Sequence, residues 1–182
     1  MSRLLFIDTE TGGLDPNKHS LLSIGLVIWD SDDGLIYEKE YYVKNNEYVI
    51  TKTAHQINKI SLEDLKYSVE KEKIIDEFQK IKMQYFYEYQ GIPLAGHNTQ
   101  FDVQFIKKMF LDSNRSFEKV FSHRILDTYS ILKYLYDSGK IKYKIESSAK
   151  AFSFFGINVD GRHTALGDAK ATMQLYEKML QL

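Results

Sequence analysis

The sequence predicts an α/β protein: a mixed five-stranded sheet flanked by helices. Three observations lead there. Three strand-like segments come first in succession, then strand-like segments alternate with helix-like ones, and Gly and Pro punctuate the joins. The chain has 182 residues, enough for one sizeable core, and we read 1–182 as one domain. Hydrophobic residues make up 43% and charged residues 27%, the balance of an ordinary globular protein. No internal repeat, low-complexity tract or linker interrupts it.

The elements follow in order. Leu4 to Asp8 is a short apolar run suited to a buried strand, broken by Gly12-Gly13 and Asp15-Pro16-Asn17. Leu21 to Trp29 and Ile36 to Val43 read as the second and third strands, with Asp30-Ser31-Asp32-Asp33-Gly34 as the turn. Thr53 to Leu65 holds two short helical turns, with Ser61-x-x-Asp64 as a cap. A long helix is expected from about Val69 to Tyr89, ended by Gly91 and Pro93, with Tyr85, Phe86, Tyr87 and Tyr89 on it. Pro93 to Gly96 is a brief strand, followed by a helix over 99–111 that Asn98 caps. Arg124 to Thr128 is the fifth strand, leading into a helix to Tyr136. Helices over 146–155 and from Thr164 to the C-terminus complete the chain. The last helix should bury Ala165, Ala169, Thr172, Tyr176 and Leu180 at helical spacing.

Composition removes several chemistries. There is no cysteine, so disulfides, thiolate metal sites and cysteine nucleophiles are excluded. No stretch approaches about 20 consecutive apolar residues, so no membrane span is expected. Asp8 and Glu10 interrupt the N-terminal apolar run before it could serve as a signal peptide, and a cytoplasmic enzyme is the expectation. The net charge of −1 does not announce a nucleic-acid binder, but a site gripping a chain end through metal ions needs no broad positive surface.

Three segments carry the candidate chemistry. In Asp8-Thr9-Glu10, side chains alternate along a strand, so both carboxylates point one way. Two such neighbours repel, and a hard divalent cation with oxygen ligands offsets that. Alone, the pair fits solvated acids at a strand end better than a metal site. Asp102 sits in Asn98-Thr99-Gln100-Phe101-Asp102, at the start of a helix, where an acid needs no function to explain it. Asp168 lies beside the buried stripe of the last helix, where a carboxylate requires a partner. His163 stands in the entry loop of that helix, and histidine titrates in the range suited to taking a proton from water.

Taken together, these segments resemble the DEDDh exonucleases, the group containing the DnaQ proofreading subunit and RNase T. The matches are Asp8-Thr9-Glu10-Thr11-Gly12-Gly13-Leu14, His97-Asn98-x-x-Phe101-Asp102-x-x-Phe105-Ile106 and His163-x-Ala165-Leu166-x-Asp168-Ala169. The likeness spans essentially the whole chain, in order, with all five chemical residues intact. Leu126-Asp127-Thr128 is a weaker fourth match, in which we read Asp127 as a helix cap and not as a ligand. Thr53-Ala54-His55-x-Ile57 resembles the family's His-Gly-Ile segment, with Gln56 in place of glycine, and Lys144 to Ala149 lacks the family's usual leucines.

The resemblance implies an RNase H-like fold and hydrolysis of phosphodiesters at the 3′ end of single-stranded DNA or RNA, releasing nucleoside 5′-monophosphates. It implies two divalent ions, Mg2+ or Mn2+, held by Asp8, Glu10, Asp102 and Asp168, with His163 taking the proton of the attacking water. It further implies that Thr9, Thr11, Gly12, Leu14, His55, Asn98, Phe101 and His163 contact the terminal nucleotide. Family members act as homodimers or bind a polymerase, so a proofreading, epsilon-type subunit is the second reading, weakened because only a short segment follows Asp168. A catalytically silent nucleic-acid-binding module is the third, and it would be expected to have lost at least one acid. Lys140, Lys142 and Lys144 read as a solvated run before a backbone-tracking one.

Overall fold

The computed structural model describes residues 2–159 and 163–182. Its sheet has five strands in the order β3-β2-β1-β4-β5. These are β1 (Arg3–Thr11), β2 (Leu21–Asp30), β3 (Gly34–Tyr42), β4 (Ile92–Gly96) and β5 (Phe121–Asp127). β1, β2 and β3 pair antiparallel through short connections, while β4 and β5 join parallel through helical crossovers. The helices are α1 (Lys52–Asn58), α2 (Lys71–Tyr85), α3 (Gln100–Asp112), α4 (Thr128–Asp137), α5 (Ser148–Phe154) and α6 (Ala165–Met179). The mixed sheet flanked by helices is thus the one expected from the sequence.

Alternation along the strands divides the core in two. Leu5 and Ile7 of β1 join Ile24, Leu26 and Ile28 of β2 under α2 and α3, where Phe78, Phe105 and Phe110 fill the space. Leu4 and Phe6 point the other way, and with Val27, Trp29 and Ala95 they meet Ala169 and Met173 of α6. Each such buried side chain stabilises the fold by about 1.5–3 kcal/mol. A third cluster, with Leu132, Leu135, Phe152 and Leu175, ties α4 and α5 to α6. By the same alternation, Asp8 and Glu10 continue the α6 face and Thr9 continues the α3 face.

Several local expectations shift. The long helix ends at Tyr85, because Phe86 leaves it as the C-cap and is fully buried while Tyr87 is 69% exposed. Tyr89 lies beyond the helix, where its hydroxyl accepts from the Arg3 amide at 2.9 Å. Asn98 does not cap α3: it adopts φ 60°, and the buried Thr99 takes the cap position without a side-chain bond. The penultimate helix starts after Ser147, whose hydroxyl caps it, leaving Glu146 paired with Lys144. On α6, Leu180 falls beyond the helix end and is 57% exposed, and Tyr176 is only half-buried, against Phe6 and Trp29. The Ser61/Asp64 cap is present, with each side chain accepting from the other's backbone amide.

One close approach positions the site. An ideal Cβ on Gly25 of β2 would stand 2.1 Å from the Ala165 carbonyl oxygen and 2.4 Å from the Leu166 nitrogen. The first turn of α6 therefore rests directly on the backbone of β2. Gly25→Ala should displace that turn and lower stability by about 1–3 kcal/mol. Urea denaturation measures it, and an unchanged midpoint would show that the contact is slack.

Candidate active site

The first two acids belong to β1 and the third comes from the helix seated on it. Asp8 pairs across to Gly25, and Glu10 to Ser23, so both carboxylates rise from the α6 face at the carboxyl end of the strand. Thr164 caps α6 by accepting from the Gly167 amide at 3.1 Å, which fixes the first turn that carries Asp168. One carboxylate oxygen from each of Asp8, Glu10 and Asp168 lies within 4.8 Å of the others. Glu10 and Asp168 are buried, at 9% and 8% exposure. All the donors are hard carboxylate oxygens, a set that suits magnesium or manganese.

Asp102 stands outside that group of three. It lies in the first turn of α3, is buried, and accepts a hydrogen bond from the Thr9 hydroxyl at 2.7 Å. Burial pushes its carboxyl up to about 7, against the opposing pull of the Thr9 hydroxyl and nearby backbone amides. Thr9 alternates with Asp8 and Glu10, so one stretch of strand presents two acids to one face and a hydroxyl for a fourth acid to the other. His163 is half-buried, immediately before the Thr164 cap, with φ 66°. That conformation is uncommon for a residue with a Cβ.

Beside Glu10 opens a cavity of about 550 Å³. Thr9, Thr11, Leu14 and Phe101 line it, as do Ala54, Ile57 and Asn58 from α1. Leu14 is 84% exposed and Ile57 51% exposed, an apolar rim that core packing does not account for. Asn58 pins α1 here by donating to the Thr11 carbonyl at 3.2 Å and accepting from the Ile60 amide at 3.1 Å. A second cavity, of about 800 Å³, lies at the opposite ends of the strands near Arg3, Tyr89 and Arg124, and none of the acids reaches it.

Other expected contacts are placed differently. His55 is exposed on α1 and is not among the residues lining the cavity, although its neighbours Ala54 and Ile57 are. Gly12 also stays outside the lining; its amide bonds the Ser20 carbonyl at 2.7 Å. Asn98 is exposed, and its backbone amide donates to Asp127 at 2.9 Å. Asp127 caps α4 by accepting from Tyr129, the structural role expected for it. Lys140, Lys142 and Lys144 are exposed, and Lys140 and Lys144 bond the Leu182 carbonyl and Glu146. Sequence reasoning missed Ala54, Asn58 and His19 as cavity residues. Of these only Ala54 carried a signal, as did Ile57, through the segment around His55.

Carboxylates gathered at the carboxyl end of β1 and the start of α6, compatible with metal binding, in a sheet of this topology mark a nuclease of the RNase H-like fold. An exonuclease family profile, RNase T, matches residues 5–176, and the chain belongs to that family. It is 26% identical over 174 residues to DNA polymerase III subunit epsilon of Treponema pallidum, covering 95% of this chain and 74% of that protein. It is 37% identical over 91 residues to the PolC-type DNA polymerase III of Clostridium perfringens, half of this chain but only 6% of that one. The 3′-5′ exonuclease DinG of Staphylococcus aureus is 25% identical over 182 residues, and the chain spans 18% of its length. Among solved structures, E. coli exonuclease I with a dT13 oligonucleotide aligns with TM-score 0.78 at 17% identity, over 100% of this chain and 41% of that one. Cell-death related nuclease 4 aligns with TM-score 0.81 at 16% identity, over 98% and 64%.

The raised Asp102 carboxyl sets a pH dependence in the metal-free protein. Its folded value of about 7 exceeds the unfolded value of about 3.9, so the neutral acid favours the fold. That contribution is complete below the unfolded value and is lost as pH rises through about 7. In chelator, Asp102→Asn should therefore flatten the fall in urea stability between about pH 4 and pH 7. An unchanged slope in that variant would contradict the assignment.

Proposed function

We propose that residues 1–182 act as one 3′–5′ exonuclease unit that hydrolyses single-stranded nucleic acid and releases nucleoside 5′-monophosphates. The observation that carries this reading is the convergence of the Asp8, Glu10 and Asp168 carboxylates beside a cavity that Glu10 itself lines. Its volume of about 550 Å³ falls within the usual range of small-ligand sites, so a single terminal nucleotide fits.

Asp8, Glu10 and Asp168 would hold one divalent ion, with Asp102 and the shared Asp8 serving a second. Two such ions, Mg2+ or Mn2+, supply charge stabilisation at the phosphate and a more acidic water. The chain's own groups do the rest. Leu14 and Ile57 grip the terminal sugar and base from the rim, and Phe101 offers a ring for stacking, which tolerates any base. Thr9 and Thr11 line the floor. His163, in the turn that enters α6, takes the proton from the attacking water, a role suited to an imidazole.

The substrate class draws support from E. coli exonuclease I, whose structure holds a single-stranded oligonucleotide on the same fold. A second reading, a proofreading subunit bound to a replicative polymerase, is favoured by the match to the Treponema epsilon subunit along 95% of the chain. Co-elution with the polymerase catalytic subunit tests it. No helix among the described residues is long and apolar enough to cross a membrane, and we place the enzyme in the cytoplasm.

Asp8→Ala should abolish hydrolysis of a labelled single strand while leaving the thermal midpoint near that of the parent. His163→Ala should slow it by about 10²–10⁴-fold. Cleavage that persists on a strand blocked at its 3′ end would overturn the exonuclease reading. Separately, Phe101→Ala should raise KM by roughly tenfold with little change in kcat, as loss of one stacked base requires; steady-state kinetics on a short oligonucleotide checks this.

A further inference from the structure

We propose that Glu40 is a positioning residue for the catalytic helix. From the middle of β3 it holds the first turn of α6 onto β2, and so sets where His163 and Asp168 stand relative to Asp8. The inference rests on the exonuclease reading above and adds to it a residue outside the family motifs.

The register supplies the first part of the argument. Asp8 of β1 pairs with Gly25 of β2, and Gly25 pairs with Glu40 of β3. Directly opposed residues share a face, so the three form a row across the sheet beneath α6. The missing side chain at Gly25 leaves a slot, and Ala165 and Leu166 occupy it at backbone distance. Asp8 stands on one side of that slot and Glu40 on the other.

Charge supplies the second part. The first N–H groups of a helix have no intrahelical partner and form the positive end of its dipole. Thr164 takes up the Gly167 amide. Burial raises the pKa of Glu40, against the amides of Leu166 and Ala165 and the Ser23 hydroxyl, which face its carboxylate and favour the charged form. Glu40 Oε1 is enclosed and makes no hydrogen bond of ordinary geometry. Enclosing such an atom destabilises the protein, and a packing role alone would be served better by an apolar side chain.

The acid cluster explains why a tether is needed. Asp8 and Glu10 are fixed by the strand, whereas Asp168 rides on a helix whose seat on β2 sets its place in the cluster. Glu38, on the same face of β3, pairs with Lys170 at 2.8 Å, but both side chains are over a third exposed and the contact lies past the first turn. Glu40 is the one whose carboxylate faces the first-turn amides.

Reach and charge can be separated by substitution. Glu40→Gln keeps the length and an acceptor, Glu40→Asp keeps the charge but is one methylene too short, and Glu38→Ala is the control. Mn2+ affinity by calorimetry, kcat and KM on a short oligonucleotide, and the thermal midpoint are read for each. Glu40→Asp and Glu40→Ala should lower kcat about tenfold or more and weaken Mn2+ binding, with KM unchanged. Glu40→Gln, which keeps the reach but loses the charge that meets the helix end, should fall between these and the parent, and Glu38→Ala should retain all of both. Full kcat and Mn2+ affinity in Glu40→Asp, or a shifted midpoint as the sole effect of Glu40→Ala, overturns the proposal. If the parent binds Mn2+ but cleaves nothing, the exonuclease reading fails while the Mn2+ series still decides the role of Glu40.

Discussion

Three carboxylates held within 4.8 Å of one another repel, and much of this molecule is arranged to keep them there. The sheet resists this because Asp8 and Glu10 sit in β1, where the ladder with β2 pairs them with Gly25 and Ser23. Asp168 has no such ladder. Its position depends on α6 lying on β2, which the Gly25 slot permits and the apolar contacts of Ala169 and Met173 with Phe6 and Val27 maintain.

The same strand serves the fourth acid by a different route. Thr9 points away from Asp8 and Glu10, and its hydroxyl meets Asp102 at the start of α3. β1 thus couples the helix layers on both faces of the sheet to one strand end. Burial raises the Asp102 carboxyl, so a cation held nearby would favour its charged form and its uptake would release a proton.

In the function proposed above, the apolar rim would let an enzyme with a net charge of −1 take a polyanion. Leu14, Ile57 and Phe101, which line the cavity, would offer surface to a base or sugar without needing a positive field. Asn58 holds α1 beside the end of β1 and so fixes the width of the cavity. Gln56, where the family has glycine, is exposed on α1, and the cavity lining is built from its neighbours.

Strand alternation, turn chemistry and three short motifs were enough to read the sheet, its strand count and the acids Asp8, Glu10 and Asp168, because each depends on residues adjacent in sequence. Asp127 as a cap was legible for the same reason. Helix ends were less so: Phe86 leaves its helix because the core takes it, and Asn98 turns to φ 60° because its amide meets Asp127 across the sheet. Asn58 and His19 reach the cavity, and Glu40 reaches α6, through strand register and helix packing that no local pattern encodes. By itself, then, the sequence determined the chemical groups and the elements that carry them. Only the tertiary structure decided which groups meet, because Gly25, Thr9 and Glu40 act through neighbours far away along the chain, brought close only when the sheet and its helices pack.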